Sequence, residues 1–293
     1  MILRAALLLL VALSIIACSR VGQQERKAEP ESLTPNVASP QEQKGTTMAA
    51  SEQEPRVQVS YSVIRDHTTL HEPILLQFAV TNGLKEPIVI DLGADRKEVF
   101  VLSIKKPDGS RVDVAPKLPE GSHEIGRVSL FSAQTFSQRL ILNEWFDFSL
   151  IGKYEISVRL TKPHISLNEV NIYNLSNVPE FKTLVFVESR DPERLRQLCS
   201  ELESKIIGNN DQARDSAEEL SYVTDPVAVP YLEKLLKANK LLAGFAIAGL
   251  ERIGDDAAIQ VLNEASKSKD KYFTAILAKQ ALDRLSGGQK NQP

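Results

Sequence analysis

The sequence predicts a multidomain chain in which an all-β sandwich is followed by an all-α helical solenoid, and three observations carry that prediction. From Arg56 to Ser189, β-branched and aromatic residues alternate with polar ones, the period-2 pattern of half-buried strands. At Asp191 the apolar spacing lengthens to the 3.6 residues of an amphipathic helix. The helical stretch then matches itself at an interval of about thirty residues, which marks stacked helix pairs.

Composition narrows the function before any element is justified. Hydrophobic residues make 42% and charged residues 25% of the 293, a globular balance that excludes wholesale disorder and a polytopic membrane protein. Lys and Arg total 35 against 38 Asp and Glu, a net charge of −3, so no global field holds nucleic acid and none is expected as a partner. Two cysteines, Cys18 and Cys199, form neither a disulfide framework nor a metal-ligand spacing.

Residues 1–17 carry Arg4 and then an apolar run from Ala5 into Ala17. The run is too short to cross a bilayer, which needs about 20 residues, and reads as a signal peptide. Its end, Ile15-Ile16-Ala17-Cys18, resembles the lipobox of bacterial lipoproteins. That resemblance implies a diacylglycerol on the Cys18 thiol, cleavage before it, and acylation of the new amino group, with palmitate as an acyl group. Several acyl chains at about 0.8 kcal/mol per methylene hold a protein on a membrane durably. Ser19, in place of an aspartate, implies the periplasmic face of the outer membrane where the host has two membranes. Residues 18–55 lack aromatics and contain Pro30, Pro35, Pro40 and Pro55, so they cannot offset their ordering entropy. As a flexible coil they form a tether of roughly 35 Å.

Residues 56–189 hold about eight short strands punctuated by turns, which predicts a sandwich. Pro107-Asp108-Gly109-Ser110 supplies the reversal between Val99–Ile104 and Arg111–Val114. Leu150-Ile151-Gly152-Lys153-Tyr154 resembles the tyrosine corner of immunoglobulin-like sandwiches, which implies that the Tyr154 hydroxyl bonds back to nearby backbone. Trp145 is expected in the core with its indole N–H satisfied. Leu76 to Gly93 is similar to the intracellular proteinase inhibitors of bacteria, and the Glu120–Gly126 loop is where such inhibition would act.

Residues 190–286 divide into six helices in three antiparallel pairs, and 287–293 read as a disordered tail. Asp191-Pro192-Glu193 opens the first helix with an N-cap acid and a proline at the first helical position. Leu195, Leu198, Cys199, Leu202 and Ile206 form one apolar face, which makes Cys199 an inert buried thiol. Asp225, Ala228, Val229 and Leu232 match Asp255, Ala258, Ile259 and Leu262 at an offset of 30, and the following copy slips by two residues. The stretch Asp225–Leu236 with Gly249–Asp255 resembles HEAT repeats of the short variety first named from phycobilisome lyases. Leu242-Ala243 stands where those repeats carry a Val-Arg pair, and lyase activity is not implied. Leu241–Leu250 is apolar nearly all round, as a helix flanked on several sides would be.

Lys234, Lys237 and Lys240, and later Lys267, Lys269 and Lys271, fall in or near the turns within pairs. Most of this is ordinary helix-end chemistry. Lys240 and Lys271 precede second helices, where positive charge is unfavourable, so Lys240, Lys267, Lys269 and Lys271 are the candidate contacts for an anionic partner or lipid headgroups. His67 and His71 are four apart, but Pro73 and the neighbouring strands oppose the helix that would make them a metal pair. Glu144 and Asp147 are expected on opposite sides of a strand. No nucleophile elbow, phosphate loop or zinc-binding helix is present in the sequence, and no metal or cofactor is expected. The reading is a membrane-anchored scaffold that binds another protein of the cell envelope and is not an enzyme. The alternatives are a proteinase inhibitor, or a hydrolase or lyase with dispersed catalytic residues.

Overall fold

Alternation along Val57–Val63 (β1) leaves every second residue half-buried, and the strand lies antiparallel beside Leu75–Asn82 (β3), which pairs in turn with Thr135–Ile141 (β8). The computed structural model describes residues 57–91, 96–114, 127–160, 164–167, 171–174, 180–208, 212–268 and 272–289. The expected signal peptide, Cys18, the tether, the 120–126 loop, Lys269 and Lys271 lie outside the described residues.

A second sheet places Asn171–Asn174 (β11), His164–Leu167 (β10), Ile88–Asp91 (β4) and Arg127–Leu130 (β7) side by side, all antiparallel. The third is His67–Thr69 (β2), Phe181–Glu188 (β12), Gly152–Leu160 (β9), Phe100–Lys105 (β5) and Arg111–Val114 (β6). Only the β2–β12 pairing in it is parallel. Phe78, Ile88, Phe100, Leu102, Leu140, Tyr154, Ile156 and Val185 of the three sheets meet in one core. β2, β10 and β11 escape the sequence pattern, because segments of three or four residues are too short to show an alternation.

The Pro107–Ser110 reversal closes the β5–β6 hairpin. Gly109 takes φ +85°, and Asp108 accepts from the Ser110 N–H at 2.8 Å, so an Asx turn replaces a ladder bond. Gly152 has φ +129°, and a Cβ there would stand 2.9 Å from Pro107 Cβ, so the position requires glycine. Tyr154 is fully buried. Its hydroxyl donates to the Leu150 carbonyl and accepts from the Leu150 N–H, both at 3.0 Å, which is the bond the Leu150–Tyr154 pattern implied.

Two expectations nearby are corrected. Leu142–Glu144 is a 3₁₀ turn, so Glu144 and Asp147 do not flank a strand; backbone bonds from Trp145 and Phe146 to Leu142 fold the chain back. Trp145 packs on the β core, but its indole N–H is buried without a partner among the described residues.

Six helices follow, Pro192–Ile207 (α1), Ala213–Leu220 (α2), Val229–Ala238 (α3), Ala243–Ile253 (α4), Asp256–Ser266 (α5) and Tyr272–Gln289 (α6). Asp191 caps α1 by accepting from Glu193 and Arg194 N–H groups. The repeat appears as repeated capping, with Asp225 accepting from Val227 at the 3₁₀ turn Pro226–Ala228 that leads into α3, and Asp255 accepting from Ala258 at the start of α5. α1 pairs with α2, α3 with α4, and α5 with α6, while α1, α3 and α5 neighbour one another in turn, as do α2, α4 and α6. α4 touches α2, α3, α5 and α6, which is why so apolar a helix is stable there. Leu232, Leu250 and Leu262 share one core with Leu195 and Cys199. Gly249 lets α4 close up, since a Cβ there would lie 2.9 Å from both Leu232 methyls and 3.0 Å from Ser221 Cα.

Helix α4 begins at Ala243 and not at Leu241, which is 93% exposed. Asn239 accepts from the Leu241 and Leu242 N–H groups and so starts the turn there. The last helix continues to Gln289, past the expected end at 286. The β-rich and helical parts both belong to one compact unit, residues 53–293.

Candidate functional site

Where the helices meet the sheets, three carboxylates are withdrawn from water. Glu72 and Glu219 are 3% exposed, and Asp225 is fully buried. A buried charge is tolerable only when paired and hydrogen-bonded, and each has arginines. Arg65 reaches Glu219 at 2.5 Å and Glu72 at 3.4 Å; Arg139 reaches Glu219 at 2.7 Å. Arg194, from the first turn of α1, lies 2.9 Å from Glu72, which also accepts from the Thr69 N–H. Arg190 grips both oxygens of Asp225, at 2.5 and 3.0 Å. Burial opposes the Asp225 charge, but the Arg190 bond and the Val227 N–H together hold its carboxyl below the ordinary range.

The seam is completed by lighter contacts. The Tyr222 hydroxyl lies 3.0 Å from Glu144, and its ring packs with Leu75 and Ile141. His71 takes φ +73°, which aims its carbonyl at the Thr224 N–H, 3.2 Å away, and its ring at the Thr224 hydroxyl, 3.1 Å away. The strained backbone is thereby explained by docking.

Beside the seam opens a cleft of about 590 Å³ lined from both sides. Phe146 and Phe148, edge to face at 5.1 Å, come from the segment after β8, Tyr222 from the turn after α2 and Arg252 from the end of α4. The Arg252 guanidinium lies 3.8 Å from the centre of the Tyr222 ring, and one of its nitrogens donates to the Ser221 carbonyl at 2.9 Å. Asn143 and Asp147 complete the polar wall. Aromatic faces beside a pre-oriented arginine are the groups that anchor protein contacts.

The residues singled out in the sequence fall elsewhere. Lys240, in the α3–α4 turn, and Lys267, at the end of α5, are exposed and form no ion pair among the described residues. Lys234 and Lys237 pair with Glu203 and Glu233, so the basic edge is narrower than the sequence suggests. His67 faces Glu188 and stacks on Phe186 while His71 faces Thr224, so the structure does not bring the two together. No cluster of metal-ligating side chains occurs among the described residues. Cys199 is buried, and burial pushes its thiol up to about 12, far from a nucleophile's range. Sequence reasoning missed Glu72, Glu219, Arg65, Arg139, Arg190 and Arg252. The one local signal was Glu219, a charge set beside the apolar stripe Ala213, Ala217 and Leu220.

No protein-family model and no curated protein matches the chain. Among solved structures, the CARDB domain of the PF1109 protein from Pyrococcus furiosus, in complex with di-metal ions, is 15% identical at a TM-score of 0.24, over 45% of this chain and 88% of that one. The sporulation control protein Spo0M from Bacillus subtilis is 12% identical at 0.24, over 52% of this chain and 55% of that one. A β-glucosidase from Listeria innocua is 12% identical at 0.25, over 45% of this chain and 16% of that one. Likenesses at these scores establish neither a shared fold nor a shared activity.

Proposed function

We propose that this chain is a lipid-anchored protein of the cell envelope that works by holding another protein. In this reading an immunoglobulin-like sandwich and a HEAT-type array of helix pairs act as one binding body. The observation that carries it is the cleft at the seam, to which both parts contribute aromatic and arginine anchors. The Tyr154–Leu150 bond supports the immunoglobulin-like assignment, and the repeated Asp225 and Asp255 caps support the HEAT-type one. Anchoring rests on Ile15-Ile16-Ala17-Cys18, and Ser19 favours the outer membrane.

A photo-crosslinking residue at exposed Ser149, on the cleft wall, tests the reading in the intact chain within its own envelope. One discrete adduct is expected, lost on Arg252→Glu and absent when the crosslinker stands at Ser62 on β1. Equal adducts from both positions, or adducts indifferent to Arg252→Glu, overturn the cleft as the contact surface. Failure of labelled palmitate to enter the protein overturns the anchor.

A further inference from the structure

The helix ends that adjoin the turns within the three pairs, and the α3–α4 turn itself, carry large apolar side chains that the fold leaves in water. Ile207, the last residue of α1, is 70% exposed; Leu241, in the α3–α4 turn, is 93% exposed; Phe273, in the first turn of α6, is 70% exposed. Leu241 and Phe273 are 32 residues apart, which is the repeat interval of 30 with its slip of two, so they are the same position in successive pairs.

These helix ends lie along one edge. Helices α1, α3 and α5 lie side by side, and Lys234 of α3 pairs with Glu203 of α1 at 3.1 Å, both late in their helices. The ends of α3 and α5 and the start of α6 wall a common hollow of about 170 Å³ through Leu236, Lys237, Glu264, Ser268 and Thr274. Exposed lysines accompany the apolar residues along the chain: Lys205 near the end of α1 with Ile207, Lys240 next to Leu241, and Lys267 at the end of α5, before Phe273.

Aliphatic and aromatic side chains interleaved with lysines at one edge match a bilayer interface, where the apolar groups enter the acyl boundary and the ammonium groups meet phosphates. We infer that this edge docks on the anionic surface of the membrane. The charge complementarity of Lys205, Lys240 and Lys267 favours that occupant. So does the length of chain between Cys18 and β1, which as a coil spans only roughly 35 Å. The inference rests on the anchored reading above and adds to it an orientation, with Leu241 and Phe273 toward the membrane and the seam cleft, which takes Arg252 from the other end of α4, away from it.

The test uses the full chain, purified from membranes and reconstituted into vesicles. A polarity-sensitive fluorophore is attached through Leu241→Cys, and through Ser62→Cys as the control. Cys199 does not compete, since its thiol is buried. In vesicles of phosphatidylcholine with phosphatidylglycerol, emission at position 241 shifts to the blue and is quenched by brominated lipid, while position 62 stays solvent-like. The shift weakens at least about fivefold on combining Lys240→Glu with Lys267→Glu, as the loss of roughly one headgroup contact or more requires. Solvent-like emission at 241 in protein that remains on the vesicles overturns the edge and leaves the anchor standing. A shift equal in pure phosphatidylcholine, or one that needs added envelope proteins, also overturns it, the latter assigning the edge to a protein partner. A second label taken up at Cys18, seen by mass, overturns the anchor instead.

Discussion

Tyr154 shows how a single side chain can fix a crossover. Its ring fills the β core, in edge-to-face contact with Phe148 at 5.1 Å, while its hydroxyl satisfies both backbone groups of Leu150. Removing only the hydroxyl isolates the second role. Tyr154→Phe is expected to lower unfolding free energy by about 1–1.5 kcal/mol, because Leu150 is 40% exposed and water replaces part of what is lost. Urea melts of both chains read this as a shifted midpoint at unchanged slope; no shift would mean the bond is not a stabilising one. Tyr154 was legible in the sequence because donor and acceptor lie four residues apart. Trp145 was not, since whether its N–H finds an acceptor depends on strands far along the chain.

Among the elements, α4 is the one whose composition announces its place. Ala243, Ala246, Gly249 and Leu250 are buried, and the helix touches four others, so small residues are needed on the sides where backbones approach. Gly249 marks the closest approach. Gly249→Val would push a branched side chain into Leu232 and the α2 end, and overpacking of this kind costs typically about 1–3 kcal/mol. Gly244→Val on the same helix meets nothing within 4 Å and is expected to cost far less. Thermal melts of the two variants separate crowding from the loss of a glycine; equal losses would refute the packing account. The helices and their pairing were readable because apolar spacing and capping acids are local. The start of α4 was misplaced because Leu241 is apolar yet excluded from the core, a fact that hydrophobicity alone hides.

For the whole molecule, the buried carboxylates decide whether sheets and helices unfold together. Arg65 and Glu219 are 154 residues apart, and no local pattern in the sequence reports such a pair. Asp225 sets the acid limit of the seam. Its folded carboxyl titrates below the ordinary value of 3.8, so its contribution is complete above that value and is lost as pH falls through the lower, folded one. Stability measured by urea from about pH 5 down to pH 2 should therefore fall more steeply in the native chain than in Asp225→Asn. Parallel curves would remove Asp225 from the account.

Glu219 tests the coupling itself. Glu219→Ala leaves Arg65 and Arg139, both of the β part and 30% and 20% exposed, without the anion that α2 supplies from across the seam. Breaking a buried pair on one side costs about 3–5 kcal/mol when both charges are fully enclosed, and partial solvent access to the two arginines reduces this to about 2–3 kcal/mol. Apart from the small cluster of Leu75, Ile141 and Tyr222, the β core and the helical core are separate, so the loss falls on the contact between them. Calorimetry of the native chain should show one cooperative transition, and Glu219→Ala two, with the helical part melting first because its last pair, α5 and α6, packs only against α3 and α4 among the helices. If the variant still melts once, at a merely lower temperature, the two cores are joined by something other than these charges.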